Sequence, residues 1–295
     1  MVDWSALDYS MAPARYCDLR LGQAKFEIPG LAYFRLGGDD RLSWLQGQAT
    51  NDVRLLESRP WLDFCLTNPK GQIEAVCRAW RDVQPWINIA TAQGEVLQRR
   101  VEETVILESV SLQQDLTDRV CLQGPRVERR VPLLGGAFPS DRTGSGGYEL
   151  SRSESPVVER LSPEAYALAT LEAGIPLQGL DYTDRTLPPE LGPNFEAQHV
   201  SYTKGCYVGQ EVLMRIKARG HTNKTWVGLR AESTMSPGDK VTYQGKEVGV
   251  VHRTAFSPAF GHIASATLRN EATEEGTEVL AGPTLARVVQ MPILR

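Results

Sequence analysis

The residues best equipped for chemistry are Lys204-Gly205-Cys206-Tyr207-Val208-Gly209-Gln210-Glu211, which place one thiol between two glycines. Glycine permits tight turns and close backbone approach to a ligand. The stretch QEVLMRIKAR that follows puts Val212, Leu213 and Ile216 on one helical stripe, with Gly220 as its stop. Cys206 therefore comes just before a helix start, where unpaired backbone N–H groups carry partial positive charge. Lys204 is two residues away. Both effects favour the thiolate, which is the nucleophilic and ligating form of cysteine. A lone cysteine is more often a small hydrophobe that fills a core, and spacing alone leaves both readings open. Cys65 and Cys77, set in apolar runs, read as core.

A second polar patch is LQGQATND, residues 45–52. Thr50, Asn51 and Asp52 follow a helix end and open the next turn, which is ordinary capping chemistry. The alternative is that Asp52 at such a turn recognises the polar edge of a ring. The four histidines, His199, His221, His252 and His262, share no metal-ligand spacing with one another or with the cysteines, so no metal site is expected.

Composition narrows the classes. The chain has 295 residues, 41% hydrophobic and 23% charged, with a formal net charge of −4. That length suits two or three domains. The acidic balance gives no general pull toward nucleic acid or anionic membranes. The local basic runs, Arg126/Arg129/Arg130 and Lys217/Arg219/Lys224, read as solvated faces. No stretch of about 20 apolar residues is present to span a membrane. The N-terminus has early acidic residues and no apolar core of a signal peptide. Five cysteines, an odd number without a CxxC pair, fit a reducing, cytoplasmic setting.

Elements must position these patches. LAYFRL (31–36), WLDFCLT (61–67), IEAVCRAW (73–80) and WINIA (86–90) read as strands, the middle two joined by the turn NPKG. DRLSWLQGQ reads as a helix capped by aspartate. Leu97, Val101 and Val105 recur on one helical face over 93–108. VCLQG (120–124) reads as a strand before a helix PRVERRVPLL, and GGYELS (146–151) as another strand. SPEAYALATLEAG (162–174) is a helix with Ser162 as cap and Gly174 as stop. The Pro- and Gly-rich segment that follows forbids long helices. A loop of that length is functional or packed across a domain seam. After Gly220, short β-type runs predict a small all-β barrel. The fold class is α+β, divided into an N-terminal domain (1–115), a middle domain ending in the KGCYVGQE loop-helix (116–220) and a β-barrel (221–295).

LQGQATND, GGYEL (146–150), LEAGIP (171–176) and above all KGCYVGQEVLMRIKARG (204–220), in this order, resemble the YgfZ branch of the GcvT family, which contains the glycine-cleavage aminomethyltransferase. The resemblance implies three domains around a central cleft that binds tetrahydrofolate or a one-carbon derivative. It implies a role in assembly or repair of iron–sulfur enzymes, with Cys206 as the functional thiol. Asn51 and Asp52 would meet the pterin, and Lys204, Arg215 and Arg219 the glutamate tail. Gln210 and Glu211 complete the cofactor-binding set. The chain departs from the aminomethyltransferases at GQIEAV (71–76). Ala75 occupies the position of their catalytic aspartate, beside Glu74. TGSGGYEL likewise offers only Gly146 and Gly147 where they carry a pterin-contacting glutamate.

Three functions follow. The first is a folate-binding accessory protein for iron–sulfur enzymes, a monomer whose catalytic turnover the sequence leaves open. The second is a folate-dependent one-carbon transferase using Glu74. The third is a tRNA-binding or tRNA-modification factor, which the acidic charge disfavours.

Overall fold

The computed structural model describes residues 2–26, 31–90, 93–127, 137–154 and 158–294. The chain opens with a short helix α1 (Tyr16–Leu21) and strand β1 (Ala24–Phe26). Then come β2 (Leu31–Gly37), α2 (Arg41–Gln48), β3 (Trp61–Thr67), β4 (Ile73–Trp80), β5 (Trp86–Ala90), α3 (Gly94–Thr104) and β6 (Ser111–Asp115). Strands β2 to β6 form one antiparallel sheet in the order β3-β4-β5-β2-β6. Its apolar face buries Leu36, Phe64, Leu66, Ala75 and Ile87 against Leu45 of α2 and Leu97 of α3. The strands at 61–67, 73–80 and 86–90 have the predicted bounds. The expected aspartate cap of α2 does not form: the Asp40 carboxylate accepts instead from the Ser109 N–H at 2.8 Å, tying two loops together. Strand β6 escapes the sequence pattern because SLQQD is polar and half exposed, held by its backbone ladder to β2.

A second sheet, in the order β1-β7-β9-β8, adds β7 (Arg119–Gln123), β8 (Phe138–Pro139) and β9 (Gly147–Ser151). Most of the helix predicted after Pro125 lies outside the described residues. Helix α4 (Pro163–Glu172) starts as expected, with Ser162 Oγ accepting from Ala165 N–H at 3.1 Å. The irregular segment after it contains a short helix α5 (Pro193–His199), with Pro193 in its first turn. Helix α6 (Gln210–Arg219) follows.

The remaining strands, β10 (Lys224–Ala231), β11 (Lys240–Tyr243), β12 (Lys246–Ser257), β13 (Gly261–Arg269), β14 (Glu278–Ala281) and β15 (Thr284–Val289), close into a barrel ordered β10-β13-β12-β11-β14-β15. Asp181, in the irregular segment, joins it to the rest. Its carboxylate pairs with Arg253 at 2.7 Å and accepts from Trp226 Nε1 at 3.1 Å and Ser265 Oγ at 2.5 Å, all buried. The long segment is thus packed against the barrel. Among the described residues, no helix is long and apolar enough to cross a membrane.

Candidate functional site

The polar exceptions inside the apolar strands build the site. Asp63 on β3, Arg78 on β4 and Asn88 on β5 are direct cross-strand partners, so one row of polar side chains runs across the sheet. They face a cavity of about 780 Å³, within the size range of small-molecule sites. Its other walls come from Asp141 and Arg142 beside the second sheet, from residues 173–176 after α4, from Gln198 and His199 of α5, and from Pro292 beyond the barrel. The cavity therefore lies between the first sheet, the segment beside the second sheet, the chain from the end of α4 to α5, and the segment after the barrel.

Arg78 grips both Asp63 oxygens, at 2.6 and 2.9 Å. Burial raises the Asp63 carboxyl, but the Arg78 guanidinium outweighs it and holds the group below the usual carboxylate range. Arg78 Nη1 also donates to Ser140 Oγ at 3.0 Å, which donates at 2.6 Å to the fully buried Glu149 of β9. Glu149 further accepts from Arg142 Nε at 2.7 Å, Tyr33 OH at 2.7 Å and Asn88 Nδ2 at 3.2 Å. One connected polar network thus underlies the sheet side of the cavity.

None of the eight residues singled out from sequence lines this cavity. Asn51 is buried and donates to two carbonyls, Asp63 O at 2.9 Å and Gln198 O at 2.7 Å, while its own oxygen accepts from Asp52 N–H. Thr50 Oγ1 donates to His199 O at 2.6 Å and accepts from Cys65 N–H at 2.8 Å. The LQGQATND patch thus clamps the cavity wall from behind. Asp52 caps the turn Val53–Glu57 and is bound by Arg54 and Gln46. The Arg54 side chain above all holds its carboxyl down at about 2.

The KGCYVGQE loop is fixed at both ends. Lys204 is buried, its ammonium donating to the carbonyls of Gln46 and Ala49 at the end of α2. It is thus committed to α2, where the sequence suggested a partner for the thiol. At the other end, Val208 O accepts from Thr67 Oγ1 at 2.5 Å, and Gly209 rests on the β3–β4 turn. Between them Cys206 is exposed, and the space beside Gly205 is open. Gln210 Nε2 reaches Lys204 O and Gly205 O only at 3.5 and 3.4 Å. Glu211 and Arg215 pair with each other on the exposed face of α6, and Arg219 is exposed in its last turn. The sequence patches are therefore brought together as a frame, with the cavity on one side and the thiol on another.

Burial alternates along β4 from Ile73 to Ala79. Ala75 is fully buried in the apolar core of the sheet, and Val76 is its neighbour that faces the cavity. Glu74 is held by Arg99, at 3.0 Å, and by Arg100, away from the cavity lining. The residues that sequence reasoning missed, Asp63, Arg78, Asn88 and Glu149, carried a usable signal. Three of them interrupt hydrophobic strand runs, and such interruptions need a partner or a ligand.

The Lys204 anchor carries a pH signature. Burial pushes its ammonium from the ordinary 10.5 down to about 8, with Asp52 opposing. Between these values the unfolded chain binds more protons than the folded one, so stability rises with pH there. Urea titrations from pH 8 to 10.5 should show that rise in the wild type and its loss in Lys204→Met. Parallel slopes in the two proteins would refute the assignment.

No family model matches the chain. Over 98% of its length it is 26% identical to an aminomethyltransferase of Rubrobacter xylanophilus, covering 88% of that protein. Over 72% of its length it is 26% identical to the tRNA-modifying protein YgfZ of Hamiltonella defensa, covering 72% of that protein. The crystal structure of the glycine cleavage system aminomethyltransferase T from Bartonella henselae superposes with a TM-score of 0.79 at 20% identity, over 95% of this chain and 88% of that one. The α+β fold with a C-terminal closed barrel is shared with that structure.

Proposed function

We propose, for a chain that resembles the YgfZ-type folate-binding proteins of the GcvT family in sequence and has the GcvT fold, that it is a tetrahydrofolate-binding accessory protein supporting iron–sulfur enzymes, with Cys206 as its functional thiol. The observation that carries this reading is the cavity of about 780 Å³ lined from all three proposed parts, walled by residues that the LQGQATND patch clamps in place. Its size, its concavity and its few convergent polar groups suit a pterin. The parts are residues 1–115, 116–220 and 221–295, with β1 lent to the second sheet. The thiol reading draws on the exposure of Cys206 in a loop held rigid on either side.

Aminomethyl transfer finds less support, because β4 presents Val76 to the cavity and keeps Glu74 paired with two arginines. A part in tRNA modification, the activity named for the YgfZ relative, would be indirect on this reading, through enzymes that need iron–sulfur clusters. The setting is cytoplasmic and the protein a monomer.

Calorimetry and complementation test the reading together. Tetrahydrofolate should bind the wild type and raise its unfolding free energy by about 2.7 kcal/mol at 100 times the dissociation constant. Cys206→Ser should fold and bind folate like the wild type, yet fail to restore iron–sulfur enzyme activity in a deletion strain. Full complementation by Cys206→Ser removes the thiol from the account. Absence of binding at millimolar tetrahydrofolate removes the folate.

A further inference from the structure

We propose that His199 is a ligand-recognition residue of the cavity, its Nε2 accepting a hydrogen bond from a ring N–H of the bound reduced pterin. This rests on the folate reading and deepens it. The argument begins with the other ring nitrogen. His199 Nδ1 lies 2.9 Å from Phe195 O, one turn back along α5. A carbonyl only accepts, so Nδ1 carries the proton and Nε2 of the neutral ring holds a lone pair. The Nε2 lone pair leaves the ring on a different edge from the Nδ1 proton that the helix backbone takes, and His199 lines the cavity. Among the described residues nothing bonds to Nε2.

The ring is held in one pose. It stacks on Phe195 with centroids 3.8 Å apart and planes 10° apart. Its backbone carbonyl is bonded by Thr50, and that of the preceding residue by Asn51. Because Asn51 donates simultaneously to Asp63 O and Gln198 O, it sets the histidine end of α5 beside Asp63. Two acceptors, the imidazole nitrogen and the Asp63 carboxylate, thereby face the cavity together, with the donors Arg78 and Asn88 in the same cross-strand row. Burial pushes the imidazole down, more than the attraction of Asp63 raises it, which keeps the ring neutral and Nε2 an acceptor. A reduced pterin carries several ring and exocyclic N–H donors, the complement of such a wall. A ligand lacking N–H groups would leave Nε2 without a partner, whereas Asp63 keeps Arg78 on both its oxygens.

The chain has four histidines, so ¹⁵N-histidine labelling resolves each ring. In the free protein the His199 nitrogens should report the neutral Nδ1–H form at pH 7. Added tetrahydrofolate should move its Nε2 resonance and leave His221 and His262, on the barrel side, unmoved. His199→Phe preserves the stack and removes the acceptor; it should bind tetrahydrofolate about tenfold more weakly with an unchanged melting temperature. An Nε2–H tautomer in the free protein overturns the proposal on the wild type alone, whatever the variant does. Equal affinity of both proteins, with the His199 signal unmoved, overturns it and leaves the folate reading standing. Failure of the wild type to bind tetrahydrofolate overturns both.

Discussion

Glu149→Leu is expected to lower the unfolding free energy by about 3–5 kcal/mol, the cost of leaving a buried charge without its partner. Glu149 is fully buried and its two oxygens take four hydrogen bonds, from Ser140, Arg142, Tyr33 and Asn88. Arg142, with a side chain 19% exposed, loses its ion pair in the variant. Arg142→Met combined with Glu149→Leu should recover part of the loss, because both charges are then gone. The same pair predicts acid sensitivity. Burial raises the Glu149 carboxyl, but Arg142, Ser140 and Tyr33 together bring it below its ordinary 4.5. Its contribution is therefore present above pH 4.5 and is lost as pH falls through the folded value. Urea denaturation at a series of pH values checks both statements: the wild type should weaken below pH 4.5 and Glu149→Leu should lack that component. A loss of only about 0.5 kcal/mol, typical of an exposed site, would show that the network contributes little.

Gly209→Ala should unseat the loop that carries Cys206. Gly209 has φ +84°, and a methyl group there would lie 2.5 Å from Asn68 O and 2.9 Å from Gly71 Cα, both backbone atoms of the β3–β4 turn. The left-handed backbone alone costs a residue with a Cβ about 1–2 kcal/mol, and the overlap adds to it. Gly205→Ala is the control, since a methyl at that position meets nothing within 4 Å. Hydrogen exchange should speed up at residues 67–71 and 204–209 in Gly209→Ala and stay unchanged in Gly205→Ala. Equal protection in both variants would mean that the contact with the turn does not hold the loop.

Much of the architecture was legible in the chain. WLDFCLT, IEAVCRAW and WINIA are apolar-rich runs bounded by turn residues, and the strands form there. QEVLMRIKAR between Gly209 and Gly220 is bounded in the same way. Elements held by partners instead of by their own pattern were not legible. β6 exists because β2 offers it a ladder, and α5 is a brief helix between proline-rich turns. For the site, the sequence pointed to LQGQATND and KGCYVGQE, which do come together. It attributed ligand contacts to side chains that the structure spends on backbone carbonyls. Nothing in one dimension separates an asparagine that faces a ligand from one that braces the wall behind it. Asp63, Arg78 and Asn88 become a set only once strand register lines them up.

The braces share a property with a consequence for how this fold can diversify. Thr50, Asn51, Thr67 and Lys204 all donate to main-chain carbonyls, those of His199, Asp63, Gln198, Val208, Gln46 and Ala49. A carbonyl is supplied by any residue, so these contacts do not read the identity of the side chain opposite. Positions 63 and 199 can exchange their side chains while the same clamps persist. The wall is interchangeable and the frame is not: substitutions that retune what the cavity accepts are separated, bond by bond, from those that would dismantle it.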